Sequence, residues 1–250
     1  MDAKSVFGPR VAYYVQARPD YPTAVLTCLR DEHGLTPTAV IADVGSGTGK
    51  LARMFLQHGN VVFGVEPNAA MRAASDEYLR DFPRFTAVAG TAEATNLPAA
   101  SVDFVVAGQA AHWFDLEGAR SEFYRILRPG GLVALVWNDR RDDDPLVQGF
   151  DALVQTYRQP SAELRRANAA PADIAALAGA QTAHYTFPHA QELDFTGLTA
   201  RILSISFMPL PGEPQHEALL AGLRELFVAH QVNGRVHLPY DTELYVGRYA

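Results

Sequence analysis

Five short apolar runs, at residues 39–44, 61–65, 85–88, 102–107 and 132–137, constrain this chain more than any other feature. Each is rich in β-branched residues, too short for a helix, and without the strict polar alternation of a strand that has one wet face. Runs of this kind are strands buried on both sides, which demands a parallel sheet covered by helices. The intervening chain supplies such helices. Residues 50–58 place Leu51, Phe55 and Leu56 on one face, and Gly59 stands where a left-handed C-cap is wanted. Asn68 is the expected N-cap of a helix carrying Met71, Ala74, Tyr78 and Leu79. A third helix over 121–127 carries Phe123, Ile126 and Leu127 and should stop at Pro129-Gly130-Gly131. Strands and helices thus alternate from about residue 22 to about residue 138, and the expected class is α/β. The architecture that follows is a doubly wound, mainly parallel sheet with helices on both faces, whose ligand site lies at the carboxyl ends of the central strands.

After Asn138 the pattern changes. Arg140-Arg141-Asp142-Asp143-Asp144-Pro145 is a hydrophilic break, and residues 146–232 read as mainly helical around a short strand near 183–187, part of it a cover over the site. Residues 236–249 alternate after Pro239 and are expected to form the last strand, antiparallel to the rest. The expected organisation is a single domain: an N-terminal cap segment (1–30), a core (31–140), a helical cover with one core strand (141–235) and the last core strand (236–250). The alanine-rich stretch 167–180 is helix-favouring composition and nothing more.

Composition narrows the partners. The 250 residues hold 21 Lys plus Arg against 28 Asp plus Glu, a formal charge of -7, which argues against a nucleic-acid partner. Cys28 is the only cysteine, so no intramolecular disulfide or cysteine-based metal centre can form. The remaining histidines show no metal-ligand spacing, and no metal is expected. The first residues carry charge and proline where a secretory signal needs an apolar stretch, and no run of ~18 apolar residues occurs. The expectation is a cytoplasmic protein, not membrane-bound, monomeric or homodimeric.

The loop that carries chemistry is Asp43-Val44-Gly45-Ser46-Gly47-Thr48-Gly49, directly between the first strand and the first of these helices. Glycines let such a chain turn tightly and approach a bound molecule, and the helix N-terminus offers N–H groups to an anionic ligand group. The dinucleotide pattern G-x-G-x-x-G would need its third glycine where Lys50 stands, and a P-loop is absent. At the tip of the second strand, Gly64-Val65-Glu66-Pro67 places a carboxylate about twenty residues beyond the loop, where ribose hydroxyls would donate to it.

In this order the segments VGSGTGKL, VEPN, GTAEATNLP, SVDFVVAGQAAHWF and YRILRPGGLVALVW cover roughly residues 39–138. The set resembles the class I S-adenosylmethionine-dependent methyltransferases, specifically their type 11 small-molecule branch. The lead-in Tyr14-x-x-x-Arg18-Pro19-x-Tyr21-Pro22 is similar to that of the trans-aconitate methyltransferase-like subgroup. The resemblance implies a Rossmann-like fold and S-adenosylmethionine as cofactor. It implies that Asp43, Gly45, Ser46 and Gly47 contact the methionine portion, that Glu66 holds the ribose, and that Pro67 and Met71 or its neighbours lie by the adenine. Thr91, Ala92 and Glu93 are implied beside the adenine as well; relatives often carry an aspartate at the position of Thr91, and a threonine hydroxyl can also accept the amino group's bond. Gln109 and Ala110 correspond to the positions nearest the sulfonium, while Tyr14 and Arg18 close over the amino-acid end.

A sulfonium makes its methyl group electrophilic without help, so the protein has mainly to align a nucleophile and exclude water. His112 is the candidate base, because imidazole titrates near neutrality; substrate shaping and packing are its alternatives. Trp113, Asn138, Arg140 and Ser204 are the other candidate substrate contacts, Arg140 suiting an acidic acceptor. The expected activity is methyl transfer to a small-molecule acceptor, on a hydroxyl or carboxyl oxygen. A carbon-methylating enzyme and a protein that binds the cofactor without transferring its methyl are the alternatives.

Overall fold

A computed structural model describes residues 11–159, 176–179 and 181–248. The first ten residues and most of the alanine-rich stretch, both read above, lie outside that set. The parallel strands are β1 (Val40–Val44), β2 (Val61–Val65), β3 (Phe85–Val88), β4 (Val102–Gly108) and β5 (Leu127–Arg140), followed by β6 (Thr182–Leu193) and β7 (Val236–Arg248). They form one sheet in the order β3-β2-β1-β4-β5-β7-β6, and the last strand runs antiparallel. Val40 to Val44 lie opposite Val61 to Val65 on one side of β1, and Ile41 lies opposite Phe104 on the other. The sheet is therefore the doubly wound, mainly parallel one that the buried apolar runs call for.

The helices are α1 (Val11–Ala17), α2 (Thr23–His33), α3 (Lys50–His58), α4 (Ala69–Tyr78), α5 (Leu116–Ile126), α6 (Pro145–Tyr157), α7 (Phe195–Leu203) and α8 (His216–His230). Two caps match their sequence signals. Gly59 ends α3 in the left-handed region at φ 103°. Asn68 opens α4 by accepting the N–H groups of Ala70 and Met71 through Oδ1 at 2.9 and 3.1 Å.

Three features differ from the sequence reading. No helix fills residues 89–101 between β3 and β4. That loop is tied down by Glu122 of α5, whose Oε1 accepts the Thr95 N–H at 2.8 Å, and by Arg125, which donates to the Leu97 carbonyl at 2.7 Å. Second, β5 begins at Leu127, directly after α5, and Pro129-Gly130-Gly131 lies inside the strand. The register absorbs it, since Val102 faces Leu127 but Phe104 faces Leu132. Third, β6 runs well past the 183–187 segment that its composition suggested, because alternate side chains along it stay half-buried.

The chain divides into two compact units. Residues 20–138, 167–187 and 242–250 form the unit that holds β1 to β4. Its core has two layers that β5 separates by strict alternation: Leu132, Ala134 and Val136 pack with α2 and α3 through Leu29 and Phe55. Val133 and Leu135 point the other way, to Phe123 and Ile126 of α5. Residues 1–19, 139–166 and 188–241 form the second unit, where Val147 and Phe150 of α6, Leu198 and Ile202 of α7, and Leu219 and Leu223 of α8 make a separate core with Tyr240.

Candidate functional site

In the unit that holds β1 to β4, chain order reverses between β1 and β4, which are neighbours although four elements separate them in sequence. Such a switch point opens a crevice beyond the carboxyl ends of the strands. The loop after β1 and the loop after β4 both lie there. They touch at Gly45: its φ is +70°, and a Cβ on it would sit 2.5 Å from the Cβ of Ala110. Only glycine fits that approach. Gly47 also lies in the left-handed region, at φ 55°.

The end of β2 shapes the loop. The Val65 carbonyl accepts the N–H groups of both Gly45 and Ser46, at 2.8 and 3.1 Å. Glu66 is buried, its Oε2 accepting the Gly47 N–H at 3.0 Å and its Oε1 the Asn68 N–H at 2.8 Å. Burial pushes its carboxyl upward, and the N–H groups of Asn68 and Gly47 with the Arg72 guanidinium oppose that shift. Each carboxylate oxygen has a second lone pair, so the group can hold the loop and still accept a ligand hydroxyl.

Asp43 ends the row that Ile41 begins on the α3 side of β1 and is 1% exposed. Burial raises its carboxyl to about 7; the Ala52 N–H at the start of α3 pulls it down and the Glu66 charge pushes it further up. Asp43 Oδ2, Ser46 Oγ and Thr48 Oγ1 are buried without a hydrogen-bond partner. Three orphaned oxygens within six residues are costly, and a ligand bearing donors would satisfy them. The donor set fits a nucleoside linked to a cationic amino-acid end, with Glu66 for hydroxyls and Asp43 for positive charge.

The other candidates are placed as follows. Met71 is buried in the first turn of α4 and Pro67 is half-buried before it. Thr91 is exposed and Ala92 buried. Glu93 accepts the Asp115 N–H at 2.8 Å and so ties the loop after β3 to the start of α5. Gln109 has φ 59°, an uncommon conformation for a residue with a side chain, and its Nε2 donates to the Asn138 carbonyl at 3.0 Å. His112 is half-buried in the 3-10 turn Ala111–Trp113, with its ring 5.1 Å from that of the exposed Trp113. The Asn138 amide is engaged inside the unit: Nδ2 donates to the Asp20 carbonyl at 3.1 Å and Oδ1 accepts from Thr242 at 2.7 Å.

Sequence reasoning quoted Tyr21 only as part of the N-terminal lead-in and gave Asp20 and Lys50 no place in the site. Lys50 pairs with Asp20 at 2.9 Å, and a Cβ on Gly108 would fall 2.3 Å from the Tyr21 hydroxyl, which therefore covers the end of β4. The available signal was Gly108 itself, a glycine closing an apolar strand where another group approaches.

Tyr14, Arg18, Arg140 and Ser204 belong to the second unit. Arg18 lies over the Tyr14 ring at 4.7 Å and donates to the Ser204 carbonyl at 3.3 Å. Arg140 is committed to Asp151, at 2.6 and 3.0 Å, above the Phe150 ring. Among the described residues no cluster of His, Cys, Asp or Glu could hold a metal ion, and no helix is long and apolar enough to cross a membrane.

This is the Rossmann-like fold found in methyltransferases. A proposed type II methyltransferase from Anaeromyxobacter dehalogenans superimposes with a TM-score of 0.66 at 22% identity, covering 92% of this chain and 97% of that one. In sequence, residues 42–135 match the methyltransferase domain family. An uncharacterized methyltransferase-like protein of Schizosaccharomyces pombe is 36% identical over 154 residues, 61% of this chain and 59% of its own. An uncharacterized methyltransferase of Mycobacterium bovis is 38% identical over 141 residues, 56% of this chain and 54% of its own. The chain thus spans less than two thirds of the length of the curated relatives it matches.

Proposed function

We propose that this chain is an S-adenosylmethionine-dependent methyltransferase that transfers the methyl group to a hydroxyl or carboxyl oxygen of a small-molecule acceptor. The observation that carries the reading is the arrangement at the β1–β4 switch point. There Glu66, anchored by Gly47 and Asn68, stands beside the orphaned oxygens of Asp43 and Ser46, all within the segment that matches the methyltransferase domain family. When bound, the cofactor supplies a methyl group already activated by its sulfonium. The protein's work is then to bind, orient and keep water out.

In this reading Glu66 accepts the ribose hydroxyls, and Asp43 with the backbone of Gly45, Ser46 and Gly47 receives the methionine portion. Pro67, Met71, Thr91 and Ala92 line the adenine. Gln109 and Ala110 border the reacting end, where the strained backbone of Gln109 keeps the loop after β4 against Gly45. For a hydroxyl acceptor His112 accepts the proton released on methylation at an imidazole nitrogen, whereas a carboxylate attacks already deprotonated; Trp113 walls the same mouth.

The test is formation of S-adenosylhomocysteine from S-adenosylmethionine across a panel of small hydroxy and carboxylic acids, followed by His112→Ala on the best acceptor. The expected result is acceptor-dependent product and, where the best acceptor is a hydroxyl, a His112→Ala rate lower by about a hundredfold with cofactor affinity retained. Absence of turnover with every acceptor alongside tight cofactor binding would contradict methyl transfer, and wild-type turnover of a hydroxyl acceptor by His112→Ala would remove it as the base.

A further inference from the structure

Asn138 lies on β5 where the crevice opens, and it holds two stretches of chain there at once. Its backbone carbonyl accepts Gln109 Nε2 at 3.0 Å, and the Gln109 N–H goes to the Val136 carbonyl of the same strand at 3.0 Å. Gln109 has φ 59°, a conformation that a residue with a side chain keeps only where its surroundings over-determine it. The two bonds to β5 do so, and they fix the loop whose next residue, Ala110, packs against Gly45.

The Asn138 side chain takes the other stretch. Nδ2 donates to the Asp20 carbonyl at 3.1 Å, and Oδ1 accepts the Thr242 hydroxyl of β7 at 2.7 Å. A carbonyl can only accept, so the amide cannot turn over without setting oxygen against oxygen. Asp20 is gripped a second time by Lys50 Nζ at 2.9 Å, from the first residue of α3, directly after the glycine loop. Tyr21 follows, its hydroxyl 2.3 Å from where a Cβ on Gly108 would lie and beside Leu51. β7, β5, the segment before α2 and the start of α3 therefore converge on the carboxyl end of β4. All of these residues belong to the unit that holds β1 to β4.

Thr242 is fully buried and Asn138 is 8% exposed. Replacing a buried polar pair by apolar groups of the same shape is nearly neutral for stability, so the fold alone does not call for this one. What the pair adds is a single orientation, and that orientation is handed on to chain outside the sheet. We propose that Asn138, oriented by Thr242, is a positioning residue of the methyl-transfer site: it sets the Gln109 loop through its carbonyl and Asp20 with Tyr21 through its amide, and acts on the cofactor only through them. The proposal rests on the methyltransferase reading. It replaces the substrate contact expected of Asn138 from sequence, since both ends of the amide are engaged. With these walls set before the cofactor arrives, binding is relieved of the cost of ordering them.

The experiment is calorimetric titration of S-adenosylhomocysteine into wild type, Thr242→Val, Thr242→Ser and Asn138→Asp at a temperature where each is folded, with melting temperatures measured alongside. Thr242→Val keeps the shape and removes the hydroxyl, while Asn138→Asp sets an oxygen against the Asp20 carbonyl. Both should weaken the affinity by about fivefold or more, and Thr242→Ser should stay within about twofold of wild type. Asn138→Asp serves if Thr242→Val does not fold. Combined with Tyr21→Ala, Thr242→Val should bind about as weakly as Tyr21→Ala alone, because Thr242 acts through the segment that carries Tyr21. Lower melting temperatures with unchanged affinity would make the pair structural and overturn the proposal. Additive losses in the double variant, or a Thr242→Ser variant as weak as Thr242→Val, would overturn it too. Wild-type protein that binds no S-adenosylhomocysteine removes the methyltransferase reading and this role with it; wild-type binding that the variants leave intact removes the role alone.

Discussion

Asp43 sits in an environment that its residue type does not announce, being buried at the end of an apolar strand. Its carboxyl titrates at about 7 in the folded chain and near ~4 when unfolded. Between those values the native state holds the extra proton, so this group's contribution to stability falls as pH rises from about 4 to about 7 and is level above. Asp43→Asn should flatten that part of the stability profile in urea titrations at several pH values; an unchanged slope would mean that the carboxylate is not the titrating group. The importance of this residue was legible from its place ahead of three alternating glycines, but its protonation was not. That depends first on its burial, then on the α3 N–H that opposes the shift and the Glu66 charge that adds to it, all of which only the fold supplies. Glu66 is similar: its place at the tip of β2 was legible, its grip on the Gly47 N–H was not, because the two residues meet only through parallel pairing of β1 with β2. Asn138 shows the converse. A polar residue at a strand end reads as a substrate contact, and here its amide bonds Asp20 and Thr242, partners more than a hundred residues away in sequence.

Among the elements, legibility tracked burial. β2 and β3 came out with the bounds read from their apolar runs, since a strand covered on both faces has no other pattern available. β6 ran longer because half-buried positions carry mixed composition and look like loop, and β5 because half of the positions added at its ends are exposed. The Pro-Gly-Gly segment reads as a stop but serves as an irregularity within β5, where register with β4 shifts. The loop 89–101 carries no periodicity and is ordered by a distant carboxylate. Burial alone would raise the Glu122 carboxyl, but bonds from Arg125 and Thr95 outweigh it and hold it down at about 2. A depressed carboxyl stabilises the fold above its unfolded value near ~4.3, and that contribution is lost as pH falls from about 4 toward about 2. Glu122→Gln should therefore lower stability at neutral pH and converge with wild type near pH 2 in acid denaturation. A constant gap between the two curves across that range would show that the anchor does not depend on charge.

At the scale of the whole molecule, the sequence describes one unit well and the other poorly. The strand-rich unit repeats a simple rule, apolar strand then amphipathic helix, and its glycine loop stands where that rule puts a ligand. The second unit is assembled from three separated stretches of chain, and half-buried Arg18 meets buried Arg201 from far away in the sequence. No local pattern announces such a cluster. The central claim is that the β1–β4 crevice binds S-adenosylmethionine through Glu66. The most direct measurement is calorimetric titration of wild type and Glu66→Gln with S-adenosylhomocysteine, with NAD as control. One-to-one, micromolar binding by wild type is expected, none of NAD, and at least about tenfold weaker binding by the variant, since a bond to a charged group is worth ~1.5–3 kcal/mol. No binding by wild type, or equal affinity in the two proteins, would contradict the account.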